Sequence, residues 1–332
     1  MRHPLAIALT LAGLMLAGCA QNVPSAVLRT ATAPVEASVA AAQPERSLMA
    51  MSSQALSPIS ERQATVVRNV RYGRSAEQAL DVYGTSERRA SRPVVVWVHG
   101  GGWKMGDKGN DLEAKRAYFK SLGYVFVSTN YRLADPNVPV GRRAMHPDQI
   151  RDVCAAIGWV KQNIAAHGGD PQAIALMGHS AGAHLVSLAG THAKYLAEAV
   201  GRVGLGSLRG VVSVDTSNYD LINTNGPWIE ELVLNAFGKD RAVRRDASPL
   251  YQVDSGRQTP PFLVFVQGSA ERIREARQFH DLTRQADPLQ RGDQFQHVTA
   301  YNHMEINEAI GRPGERLVTP AITAFLKQMF GR

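Results

Sequence analysis

Gly178-His179-Ser180-Ala181-Gly182 stands directly after the apolar run Ala173-Ile174-Ala175-Leu176-Met177, and no other feature restricts the fold of this 332-residue chain so closely. Serine between flanking glycines, entered from a strand and left as a helix, requires a sharp turn that lifts the hydroxyl clear of the sheet edge. The glycines let neighbouring backbone approach. A second string, His99-Gly100-Gly101-Gly102-Trp103, follows the apolar run 93–98 in the same way. Backbone N–H groups of Gly101 and Gly102, joined by that of Ala181, are placed to meet a developing oxyanion, each such donor being worth about 3 kcal/mol. A phosphate cradle would need Gly-Lys-Ser/Thr next, and that is missing here. The two strings together point to acyl transfer through Ser180.

The rest of the chain alternates strand and helix signals. Segments 65–72 and 79–83 read as an opening antiparallel pair. Strands follow at 93–98, 124–129, 173–177, 208–214, 261–266 and 294–300, and helices at 111–122, 146–167, from 181 onward, at 275–286 and at 320–330. Such alternation specifies an α/β fold with a mostly parallel central sheet and helices on both faces. There is no internal repeat and no second domain after residue 65.

A serine nucleophile needs a base and an acid that orients it. His303 follows the last strand signal in Tyr301-Asn302-His303, where the order serine, acid, histidine puts its imidazole. His297 falls within a strand, His280 within a helix, and His179 and His184 flank the serine, positions that suit structural roles. Glu271 lies in the turn after strand 261–266 and is the chosen acid, with Asp281 as nearest rival and Asp254 and Asp215 behind it. A solvated carboxylate at a helix start is the competing reading of Glu271. Gly201-Arg202-Val203-Gly204-Leu205-Gly206 precedes a strand instead of following one, the wrong context for a dinucleotide. With no His-Glu-x-x-His and no paired cysteines, no metal and no cofactor is expected.

Arg2 and His3 precede an apolar run from Leu5 to Leu16 that is short for a membrane span and reads as an export signal over residues 1–18. Its ending, Leu16-Ala17-Gly18-Cys19, resembles a bacterial lipobox, which implies lipid on the Cys19 thiol and a cell-envelope address; an ordinary signal cleavage nearby is the alternative. Ala20 after the cysteine favours the outer membrane in a Gram-negative cell. Residues 19–64, rich in Ala, Ser, Pro, Gln and Thr, read as a flexible tether, leaving 65–332 as the folded domain. Cys154, in helical register with Ile150, Val153, Ile157 and Val160, is a core residue. The net charge of +8 falls only to +7 without residues 1–18, and its basic pairs are scattered without interleaved aromatics. Nucleic acid is therefore a poor partner.

Taken with Leu80-Asp81-Val82-Tyr83, Gly106-Asp107-Lys108, Asn130-Tyr131-Arg132-Leu133, His146-Pro147 with Asp152, and Gly168-Gly169-Asp170-Pro171, the two strings make the chain resemble the α/β-hydrolase superfamily over about residues 65–332. Within it, the chain is similar to the esterase/lipase-like group with an HGGGW oxyanion motif, which includes carboxylesterases and kynurenine formamidase-like enzymes. The resemblance implies Ser180 as nucleophile, Glu271 as acid, His303 as base, and Gly101, Gly102 and Ala181 as oxyanion donors. It departs at Gln267-Gly268-Ser269-Ala270-Glu271, where the group commonly has His-Gly-x-x-Asp. Trp103 and Tyr131 are expected to wall the pocket and segment 215–250 to cap it. The implied activity is hydrolysis of small or medium acyl or aryl esters, with arylformamide or other amide cleavage by the same residues, or a non-catalytic envelope binding role, as alternatives. Oligomeric state is left open.

Overall fold

Val94, Val95, Val96, Trp97 and Val98 are all 2% exposed or less, so the strand that carries them, β3 (Arg92–Val98), is covered on both faces. That condition arises in a sheet sandwiched between helical layers. The computed structural model describes residues 56–331, apart from 88–90, 202–204, 225, 254–258 and 287–291. The export signal, Cys19, most of the proposed tether and Asp254 lie outside the described residues. No helix among the described residues is long and apolar enough to cross a membrane.

β1 (Ala64–Arg71) and β2 (Ala79–Thr85) form an antiparallel pair, and β2 runs antiparallel to β4 (Val125–Thr129). From there β3, β5 (Gly169–His179), β6 (Gly210–Val214), β7 (Phe262–Val266) and β8 (Gln294–His297) are parallel, in the order β1-β2-β4-β3-β5-β6-β7-β8. This is the mostly parallel sheet that the alternation specifies, in the α/β-hydrolase fold that the resemblance implies. Side chains leave each strand with period two. Val94, Val96 and Val98 join one core with α2 (Asp148–Asn163), α3 (Ala181–Thr191), α4 (Ala193–Val200), α5 (Pro227–Phe237), α6 (Arg241–Ala247) and α7 (Ala270–Ala286). Val95 and Trp97 join the other, with α1 (Glu113–Ser121), α8 (Glu305–Ala309) and α9 (Val318–Phe330). Cys154 is fully buried in the first core, where burial pushes its thiol pKa up.

Two boundaries have consequences for the site; the first differs from the sequence reading and the second, the end of the strand at 214, agrees with it. α7 starts at Ala270 instead of near 275, because Ser269 and Ala270 continue straight from the turn after β7; Glu271 is thereby drawn into a first helical turn. β6 ends at Val214, which leaves Asp215 as the first residue beyond the carboxyl edge of the sheet. In parallel sheets that edge is where sites assemble.

The scattered family motifs form a polar frame beneath the 99–108 loop. Lys108 pairs with buried Asp81 at 3.0 Å, Asn130 donates to Asp107 at 2.8 Å, and the Lys108 N–H donates to the Asn130 amide oxygen at 2.5 Å. Next to it, Arg132 clasps Asp152 through Nε and a terminal nitrogen, both at 2.8 Å. Bidentate pairs of this kind fix geometry as well as adding energy.

Candidate active site

Ser180 turns the chain from β5 into α3 with φ 56° and ψ −121°, a backbone conformation disfavoured for a residue with a side chain. Surrounding contacts hold it there: its N–H donates to Val214 O and its carbonyl accepts from His184 N, both at 3.0 Å. Gly182 lies against the end of β3, where a Cβ would collide with the carbonyl oxygens of Val98 and His99. The backbone of the serine turn thus packs directly on that of the glycine loop.

The Ser180 hydroxyl donates to His303 Nε2 at 3.0 Å, and His303 Nδ1–H donates to Asp215 Oδ2 at 2.6 Å. Serine, imidazole and carboxylate come from the loops after β5, β8 and β6. The expectation that Glu271 orients His303 is corrected here. Glu271 is exposed in the first turn of α7, its carboxyl held low by the Ser269 hydroxyl, and the imidazole nitrogen it was to engage is taken by Asp215. Asp281 is also elsewhere, exposed on α7 beside His280 at 3.3 Å.

Asp215 is fully buried, and burial alone would raise its pKa. Hydrogen bonding from His303, the Arg272 charge and Gln267 outweigh burial and bring it down to about 2. Arg272 donates to Asp215 Oδ1 at 2.7 Å, to Ser217 Oγ at 2.8 Å and to Gln267 O at 3.0 Å. Gln267 donates to the same carboxylate through its N–H at 3.0 Å and its side-chain amide at 2.9 Å. The carboxylate is therefore satisfied on both oxygens, as a buried charge requires.

The flanking histidines brace this arrangement. His179 Nε2 donates to the His303 carbonyl at 2.8 Å, with ring centroids 4.6 Å apart. His184 Nε2 donates to Ala247 O at 2.8 Å, which leaves its Nδ1 to accept from Trp103 Nε1 at 3.2 Å. Trp103, also edge-on to Phe237 at 4.9 Å, is thus pinned at the end of the glycine loop. Among the described residues the N–H groups of Gly101 and Gly102 have no acceptor. Ala181 heads α3, where first-turn N–H groups lack intrahelical acceptors.

A cavity of about 760 Å³ opens over Ser180, lined by Gly101, Gly102, Trp103, Ala181, His303 and, from α5, Trp228, Ile229 and Leu232. Segment 215–250 contributes a wall through α5, which the Arg244–Glu230 pair at 2.7 Å ties to α6. Tyr131, expected beside Trp103 in the pocket wall, is corrected: it does not line the cavity. It lies behind the loop, its ring stacked on His99 at 4.5 Å and its hydroxyl on His99 O at 3.3 Å. No group of His, Cys, Asp and Glu among the described residues is arranged to hold a metal ion.

The BD-FAE family matches this chain over residues 80–285. The chain is 31% identical to esterase LipC of Mycobacterium tuberculosis over 82% of its length and 67% of LipC. It is 32% identical to esterase LipQ of the same organism over 61% of its length, spanning about half (48%) of LipQ. Among solved structures, esterase B from Lactobacillus rhamnosis superposes with a TM-score of 0.64 at 21% identity, covering 84% of this chain and 89% of that one. A truncated carbohydrate esterase from gut microbiota gives 0.60 at 21% identity, covering 83% and 100%. At these identities the structural matches show the shared fold.

Burial, helped by the adjacent His303, brings the His179 imidazole down to about 3, and burial, helped by His146, does the same for His184. Both are neutral in the folded state, whereas the unfolded chain protonates them near pH 6.5. The unfolded state then binds more protons between those limits, so stability present above pH 6.5 declines as pH falls toward 3, by about 1.4 kcal/mol per pH unit for each imidazole. Urea unfolding at pH 7, 6 and 5 is expected to show this loss, and a flat profile would contradict it.

Proposed function

The chain belongs to the BD-FAE family, and from that membership we propose that it is a serine esterase cleaving carboxylic esters of small or medium acyl or aryl groups through an acyl-enzyme. The observation that carries the reading is the unbroken hydrogen-bonded path from Ser180 through His303 to buried Asp215, opening into a cavity of about 760 Å³. Names of relatives, esterases LipC and LipQ, support the same chemistry.

In this mechanism His303 Nε2 takes the Ser180 proton as Oγ attacks the ester carbonyl. Asp215 fixes the tautomer and stabilises the imidazolium. N–H groups of Gly101, Gly102 and Ala181 stabilise the oxyanion, after which His303 protonates the departing alkoxide. Water, deprotonated by the same imidazole, then releases the acid and restores Ser180. We further propose, from the 16–19 sequence alone, that the protein is exported and anchored by lipid on Cys19.

Against a panel of acetyl to octanoyl esters, feruloyl esters and N-formyl aryl amides, the protein is expected to hydrolyse at least one ester series and to favour it over the amides. Ser180→Ala should lower kcat/KM by at least about a thousandfold and Asp215→Asn by about as much, while Glu271→Gln stays within about twofold. Loss in Glu271→Gln with Asp215→Asn active would reverse the acid assignment, and preference for formamides would favour the amidase alternative.

Arg272→Gln should lower kcat/KM by about tenfold, because it removes the charged donor that holds the buried Asp215 carboxylate ionised beside His303. An unchanged kcat/KM would restrict Arg272 to a structural role. Cell fractionation should find the wild-type protein in the membrane pellet and Cys19→Ala released; equal partition of the two would refute the anchor.

A further inference from the structure

Trp103 holds φ at 58° directly after Gly101 at 108° and Gly102 at 57°, so the loop that carries two of the proposed oxyanion donors ends on a residue in a backbone conformation disfavoured by its side chain. Such conformations persist only where surrounding contacts over-determine them. The Trp103 carbonyl accepts from Ala134 N at 2.8 Å, and its indole N–H donates to His184 Nδ1 at 3.2 Å. His184 can accept there because its proton sits on Nε2, which donates to Ala247 O at 2.8 Å. Ala247 is the last residue of α6, and its carbonyl is one that the helix itself leaves without a donor. The end of α6 therefore sets the His184 tautomer on which the Trp103 anchor depends.

The end of α6 is fixed by the residue before Ala247. Asp246 Oδ2 accepts from His146 Nε2–H at 2.8 Å and from the Tyr195 hydroxyl, and Oδ1 accepts from His192 Nε2–H at 3.1 Å. These donors come from three places: His146 stands just ahead of α2, Tyr195 lies on α4, and His192 joins α3 to α4. The His146 hydrogen bond, helped by those of Tyr195 and His192, holds the Asp246 carboxyl well below the usual carboxylate range. An ionised carboxylate only accepts, which matches it to three donors. Neither Asp246 nor His184 lines the cavity, so this cluster reaches the reacting atoms only through the glycine loop.

We propose that Asp246 is a positioning residue for the oxyanion donors, acting through the Ala247 carbonyl, the His184 tautomer and the Trp103 indole on the N–H groups of Gly101 and Gly102. The proposal rests on the esterase reading above. Its test compares p-nitrophenyl acetate with the p-nitrophenyl thionoacetate that carries sulfur in place of the carbonyl oxygen. Backbone N–H groups set for an oxyanion serve the weaker acceptor sulfur poorly, so the preference for oxygen reports on those donors. Acylation rates are measured with enzyme in excess, and each is divided by the alkaline hydrolysis rate of the same ester. Asp246→Asn, which puts an amide NH₂ among the three donors, and His184→Phe, which removes the Nδ1 acceptor, should each lower the oxygen preference by about tenfold from the wild-type value. Because both act on one path, the double variant should fall by less than the product of the two. Loss of folded protein slows both esters equally and cancels in the preference. An unchanged preference in Asp246→Asn, or a double-variant fall equal to the product, overturns the relay. Ser180-dependent hydrolysis of p-nitrophenyl acetate separates the two levels: if it is present, such a result removes the relay and leaves the esterase; if it is absent, the esterase reading fails and the relay with it.

Discussion

The rest of the site depends on one steric constraint, the backbone contact between the serine turn and the glycine loop. At Gly182 there is no space for a methyl group because the carbonyls of Val98 and His99 occupy it, and at Gly100 a Cβ would lie 3.0 Å from His179 O and 3.1 Å from the Ser180 Cβ. Loops after two neighbouring parallel strands are thereby locked at a separation only glycine allows. Ser180 can hold its disfavoured φ of 56° because this packing and its hydrogen bonds over-determine it. The same contact brings the proposed oxyanion donors, on both loops, into the lining of one cavity with Ser180.

Electrostatics is arranged around the carboxylate that follows β6. Asp215 would be costly to bury alone, and the β7–α7 segment meets that cost with Gln267 and Arg272, which together bring three hydrogen bonds to it. The segment in which the resembled family commonly carries its acid thus supplies the supports of an acid borne by the adjacent strand. On the other side, His179 stays neutral and donates to the His303 carbonyl, so it positions the imidazole without competing for its proton.

Much of this was legible in the sequence. Continuous apolar runs such as 93–98 marked the central strands because β2, β3, β4, β6 and β7 are buried on both faces, and 3.6-residue periods marked the helices. The order of Ser180 and His303 followed from their positions after strands, and the structure brings the two to 3.0 Å. The acid was misread because the place of residue 271 in the turn after strand 261–266, together with the family pattern, outweighed the helix-start signal of Ser269, whose carbonyl accepts from Ile273 N as the helix begins at Ala270 and leaves Glu271 in solvent. Asp215 did carry a signal: it stands immediately after an apolar strand, as His99 does after 93–98. Tyr131 was misplaced for a different reason. Its packing on His99 depends on how far the glycine loop folds back over β4, a tertiary distance that local pattern does not encode.

The central claim is that Asp215, and not Glu271, activates the Ser180–His303 pair. Its most direct test is the rate at which a fluorophosphonate labels the protein, with the modified peptide identified by mass spectrometry. The account predicts a single adduct on Ser180, formed at the wild-type rate in Glu271→Gln and about a thousandfold more slowly in Asp215→Asn. Labelling away from Ser180, or rapid labelling of Asp215→Asn alongside slow labelling of Glu271→Gln, would contradict it.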